Sequence, residues 1–198
     1  MICCYATTVE AAPTSINVST GLDTSGSVQT TGGANDANWI IGGQPARVVA
    51  PDNAGFYVEW PANNSSSAWV AKNPNEEYGN GLGTYSCVFD LTGVDLTRVS
   101  LTGTWAVDDQ GSLSLNGNLI ATQAWDGWRF FETQSFIVTN PSWFNQGPNT
   151  LTMTITQTDV CFEAVRLSGT VVTPEPATLS LLALGGLGLL LWRRRLGI

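Results

Sequence analysis

The sequence predicts an all-β protein, an antiparallel β-sandwich or jelly roll, followed by a single C-terminal transmembrane helix. Three observations lead there. Short stretches in which apolar and polar residues alternate recur through the body, as side chains do on the two faces of a strand. Clusters of Gly, Asn, Asp and Pro punctuate these stretches, and such residues favour turns. The one long uncharged apolar run, Ala177–Trp192, stands at the end and is closed by Arg193, Arg194 and Arg195. Between Ala12 and Val171 no long stretch repeats its apolar residues at the 3.6-residue period of a helix.

In chain order, residues 1–12 lack the basic start and the apolar run of about 7–15 residues that mark a secretory signal, yet they end in small residues. We read them as the remnant of a longer signal peptide. Residues 13–170 form the sandwich domain. Within it, "GTYSCVFDL" puts Tyr85, Cys87 and Phe89 on one face, and "SLTGTWAV" does the same for Leu101, Gly103, Trp105 and Val107. "GSLSLNG" alternates Leu113 and Leu115 with serines, and "FFETQSFIV", "NTLTMTITQ" and "CFEAVRLSG" continue the pattern. Turns are expected at Asp109-Gln110-Gly111, Asn116-Gly117 and Asn145-Gln146-Gly147-Pro148. Asn116-Gly117 is the best tight hairpin, because both residues tolerate positive φ. Alternation stops after Gly169, so residues 171–176 read as a linker and 177–198 as the helix with its basic end.

Composition narrows the chemistry. The 198 residues hold 8 basic and 16 acidic groups, and three of the basic groups lie in the tail, so the body is more acidic still. Such a surface repels phosphate backbones and excludes nucleic acid as a partner. With no histidine, the Ser-His-Asp and Cys-His nucleophiles are excluded, together with the commonest metal ligand. Cys87 and Cys161 are either a disulfide, as an oxidising compartment would favour, or two buried free thiols. Spacing leaves both open.

The tail is informative. Sixteen residues at about 1.5 Å each make a helix of roughly 24 Å, slightly short of the bilayer's hydrocarbon core of about 30 Å, so it spans with local thinning or snorkelling arginines. Pro174 and Pro176 suit an extended approach and a helix start, and the three arginines suit a cytoplasmic stop, which leaves the body outside. Pro174-Glu175-Pro176, then the apolar run, then Trp192-Arg193-Arg194-Arg195 together resemble the PEP-CTERM sorting segment of exported bacterial proteins. That resemblance implies an exosortase-type protease as partner, cutting near Pro174-Glu175-Pro176. It also implies a precursor in the inner membrane and a mature protein at the cell surface or outside the cell.

The ordered strand series from "DANWII" to "EAVRLSGT" resembles the galactose-binding-like jelly roll, and this resemblance implies a fold rather than an activity. Seven of the eight tryptophans precede the tail; Trp39, Trp69 and Trp105 sit in strand contexts and are expected in the core. Trp125, Asp126, Trp128 and Arg129 flank a glycine in a loop and make a candidate sugar platform, with rings to stack on a pyranose and polar groups to fix its hydroxyls. Asp108 and Asp109 are candidate ligands for calcium, which takes about 6–8 oxygens, although a water-solvated acidic turn explains them equally well. Glycosidase chemistry needs two carboxylates, and Asp108, Asp109, Asp126, Glu76 and Glu77 supply the type without a spacing that selects a pair. The expectation is a non-catalytic, exported sandwich that binds extracellular polysaccharide or supports a biofilm matrix, with no obligatory cofactor.

Overall fold

The computed structural model describes residues 14–49, 60–73, 83–108, 110–124, 132–157 and 163–173. Eleven strands follow one another: β1 (Thr14–Asn17), β2 (Asn35–Ile41), β3 (Gln44–Val48), β4 (Val70–Ala71), β5 (Gly83–Asp90), β6 (Ser100–Asp108), β7 (Gln110–Leu115), β8 (Asn118–Gln123), β9 (Gln134–Val138), β10 (Pro148–Gln157) and β11 (Ala164–Thr173). Every pairing is antiparallel, and the order across the sheet is β8-β7-β10-β5-β2-β3-β4-β11-β6-β9, with β1 added beside β11. The sheet encloses one shared interior, to which strands of both β8-β7-β10-β5-β2 and β3-β4-β11-β6-β9 contribute, with β7 and β10 approaching β6, and β8 approaching β9. The expected all-β antiparallel sandwich is the observed fold. Among the described residues no helix is long and apolar enough to cross a membrane, and the helix expected at 177–198 lies outside them.

The interior is built from the alternating residues. Tyr85, Cys87 and Phe89 of β5 are buried with Leu101, Trp105 and Val107 of β6, Leu113 and Leu115 of β7, and Leu151, Met153 and Ile155 of β10. Trp39, Trp69 and Trp105 are all buried as expected. Trp39 also donates from Nε1 to the Val18 carbonyl at 2.9 Å, which satisfies its one polar atom. Asn116 and Gly117 turn β7 into β8 with φ of 49° and 82°, the left-handed values that a two-residue hairpin of this hand needs.

Several boundaries differ from the sequence reading, and Pro148, expected in a turn, opens β10 opposite Asp90. Gln110 and Gly111, expected in a turn, open β7, because Gly111 pairs with both Ile155 of β10 and Gln123 of β8. The boundary expected at residue 170 falls inside β11, which continues to Thr173 because Thr14–Asn17 pairs with Thr170–Thr173. Val171-Val172-Thr173 is therefore strand rather than linker. A partner about 150 residues away in sequence has no local signature.

Exposed aspartates organise several turns. Asp23 accepts from the Ser25 amide and hydroxyl and from the Ser27 amide, at 2.7–3.0 Å. Asp90 holds Thr92, and Asp95 holds Thr97, each through amide and hydroxyl. In all three the hydroxyl bond, followed by the amide bond, draws the carboxyl below its ordinary 3.8. A depressed folded-state value means that the contribution to stability is complete above the unfolded value and is lost as pH falls through the folded one. We expect NMR titration to place these three carboxyls below 3.8, with the amides of Thr92 and Thr97 losing exchange protection together with them.

Candidate functional site

The strand registers gather one set of strand ends at a single pole of the sandwich. Asp108 ends β6 opposite Ala164 at the start of β11, and Gly111 near the start of β7 lies opposite Gln123 at the end of β8. Gln134 opens β9 beside Trp105. The connection from β8 to β9 therefore leaves and returns at this pole. Its feet are tied: Gln123, 1% exposed, donates from Nε2 to the Val107 carbonyl, and Gln134 Nε2 donates to Gln123 Oε1 at 3.4 Å. Trp125, Asp126, Trp128 and Arg129, the candidate platform, belong to this connection and lie outside the described residues.

Asp108 points to the outer face of its sheet. Its carboxylate, 7% exposed, accepts from Trp60 Nε1 at 2.8 Å. Trp60 lies against Trp69, with ring centroids 4.5 Å apart, in a small apolar cluster with Val49, Ala71, Ala106 and Ala164. The segment that carries Trp60 is held down by Arg166, which donates to Ser67 Oγ at 2.9 Å and to the Pro61 and Ala62 carbonyls at 2.9 and 2.6 Å. Burial pulls the Arg166 guanidinium below its ordinary value, and these neutral acceptors compensate for its lost hydration. Asp108 thus fastens a tryptophan, while its expected calcium partner, Asp109, lies outside the described residues. Among the described residues no three His, Cys, Asp or Glu side chains come together as a metal group.

The same pole holds polar groups that sequence reasoning passed over. Both carboxylate oxygens of Glu163, the Tyr85 hydroxyl and Trp105 Nε1 are buried without a hydrogen-bond partner. Glu163 stands immediately before β11 and keeps the sequence parity of the buried Val165 and Leu167, so period-two alternation through "CFEAVRL" would have found it. Burial, with the Glu163 charge adding to it, pushes the Tyr85 hydroxyl well above its ordinary value. The Lys72 backbone amide acts the other way from nearby but does not meet hydrogen-bond geometry. Further along β5, Cys87 is a free, buried thiol, pushed up to about 12 by burial and then by the Asp36 charge. Cys161, its alternative disulfide partner, lies outside the described residues.

β11 ends at Thr173, one residue before Pro174. Residues 172–195 match the family model described as the PEP-CTERM protein-sorting motif. The chain is thus an all-β antiparallel sandwich whose C-terminal segment carries that motif, although Pro174, Glu175, Pro176 and Arg193–Arg195 themselves lie outside the described residues. No curated protein sequence matches the chain. Among solved structures, dimeric latent PorU from Porphyromonas gingivalis matches at 16% identity and TM-score 0.36, over 49% of this chain and 10% of that one. The chain therefore spans about a tenth of PorU's length. The CBM36-1 domain of a multidomain xylanase from the hindgut metagenome of Trinervitermes trinervoides matches at 12% identity and TM-score 0.38, over 81% and 96%. A family 35 carbohydrate binding module from Clostridium thermocellum matches at 14% and 0.35, over 81% and 98%. Likeness at that level does not extend to a shared ligand.

Proposed function

We propose that this chain is an exported surface or matrix protein, sorted through its C-terminal segment, whose sandwich binds extracellular polysaccharide without catalysis. The observation that carries the proposal is the sorting motif at 172–195, which begins on the last residues of a complete strand. On this reading an exosortase-type protease is the processing partner. The precursor stands in the inner membrane with its body outside the cytoplasm, and the processed protein sits at the cell surface or beyond. Intact-mass measurement of the protein recovered from its native surface tests this. The expected mass ends near Pro174-Glu175-Pro176, and a full-length cytosolic protein overturns the assignment.

The polysaccharide reading is supported by the β8–β9 connection, which carries Trp125, Asp126, Trp128 and Arg129 between feet fixed by the Gln123–Gln134 bond. Connections on rigid scaffolds are where binding residues concentrate. Trp128→Ala is expected to weaken retention on the bound glycan about tenfold or more while leaving the melting temperature unchanged, since a stacked ring contributes on the order of 1–2 kcal/mol. Equal retention removes the platform. Chelation by EGTA is expected to leave binding intact; a loss that calcium restores would instead show a calcium-dependent site, which Asp109→Asn would then test.

A further inference from the structure

The outer face of the β8-β7-β10-β5-β2 half presents an ordered, uncharged array of hydroxyl groups. Its centre is β10, where Thr150, Thr152 and Thr154 point outward between the buried Leu151, Met153 and Ile155. The registers set neighbours beside each threonine. Thr154 stands between Thr84 of β5 and Ser112 of β7, with Thr122 of β8 beyond. Thr152 stands between Ser86 and Ser114, and that row ends in Ile40 on one side and Leu119 on the other. Thr150 lies beside Val88, which is 61% exposed. Thr84 and Thr154 share a hydrogen bond of 3.1 Å, while the hydroxyls of Thr152, Ser86 and Ser114 make none among the described residues. Each hydroxyl offers one donor and two acceptor sites.

We infer that this hydroxyl face is a second glycan-binding surface, specific for neutral polysaccharide chains that lie across the strands. The inference rests on the polysaccharide reading above and names the class of glycan. Charge supports it first: no Asp, Glu, Lys or Arg projects from these three rows, and the nearest charge on the same face of β5, Asp90, stands just beyond Val88 with its carboxylate turned to the Thr92 amide and hydroxyl. An uncharged face matches an uncharged polymer and offers a polyanion no counter-charge. Size disfavours a stable protein partner. Five strands about 4.8 Å apart and three rows about 6.8 Å apart cover roughly 300–500 Å², against about 800 Å² per partner in a stable protein interface. Twist excludes a rigid lattice such as ice. Neighbouring strands turn by about 20–25°, so the face rotates by roughly 80–100° from edge to edge, which a flexible chain can follow and a crystal plane cannot.

The test uses the full chain in mild detergent, retained on cellulose, mannan or dextran, with polygalacturonate as the charged control. Thr152→Val together with Thr154→Val deletes two hydroxyls while keeping shape and strand preference, and is expected to lower retention on the neutral glycan about tenfold or more. Thr152→Ser with Thr154→Ser, which restores the hydroxyls, is expected to retain wild-type binding, and this holds the test open should the valine pair fold poorly. Wild-type retention by the valine pair with loss in Trp128→Ala overturns the inference and leaves the polysaccharide reading standing. Retention on polygalacturonate alone has the same meaning. Failure to bind any glycan removes both, and ice-growth inhibition that the valine pair abolishes, without glycan retention, overturns the inference in favour of ice.

Discussion

Replacing Asp36 with alanine is expected to destabilise the protein by about 3–5 kcal/mol, read as a fall in the urea midpoint at constant slope. Asp36 is 3% exposed, and its two oxygens serve three backbone amides: Gly21 at 2.5 Å, Asn38 at 2.8 Å and Trp39 at 3.1 Å. Burial pushes the carboxyl above its ordinary value, more than those three amides draw it down. Deleting it strands donors in the interior, and each unsatisfied buried group costs about 1–3 kcal/mol. Gly21 cannot retreat, since its φ of +76° and its tight packing on Ala68 fix the segment against the strands. Asp36→Asn keeps one acceptor oxygen and places an NH2 group where the other stood, so a smaller loss of about 1–3 kcal/mol is expected. Equal stability of the alanine variant and the wild type would show that water reaches these amides.

Gly103→Ala is expected to cost about 2–3 kcal/mol or to prevent folding, judged by melting temperature and by recovery of soluble protein. Gly103 of β6 lies directly opposite Gly169 of β11. A Cβ there would collide with the Ser168 carbonyl oxygen and would stand 2.9 Å from the Gly169 Cα and 3.0 Å from Phe136 Cζ. Two of these three neighbours are backbone and cannot rotate away, and Phe136 fills the space that a longer side chain would have taken. Gly117→Ala makes a useful contrast. No atom stands within 4 Å of its added Cβ, so its cost arises only from a φ of +82° and should be about 1 kcal/mol.

The core was legible in the sequence because burial on one face of a strand writes itself as alternation. Tyr85-Cys87-Phe89 and Leu113-Leu115 follow that pattern, and all five are buried. The Asn116-Gly117 hairpin was legible because its backbone angles favour those two residues. What escaped was non-local or atypical. Asp36 reads as a polar residue near other acids, and only the fold shows its oxygens turned onto the Gly21, Asn38 and Trp39 amides. Arg166 is a charged residue inside β11 and Glu163 one just before it, and both are buried, a placement that hydropathy argues against. The hydroxyl face was visible as "TLTMTIT" in β10, but its second dimension comes from Ser112, Ser114, Thr84 and Ser86, which lie far away in sequence and are brought alongside by register. The four platform residues all lie outside the described structure, which holds only the two glutamines that flank their connection.

Thr14 pairs with Thr173, so both routes out of the folded body open at one end, while Gln123 and Gln134 mark the other, with most of β11's length of about 30 Å between. On the proposed sorting, a precursor moored in lipid by its last residues would be tethered through the end of the body remote from Gln123 and Gln134. Trimming at the proline pair would release the mooring and leave the strand that precedes it still zipped to Thr14–Asn17. Maturation would change the protein's address without loosening its shape.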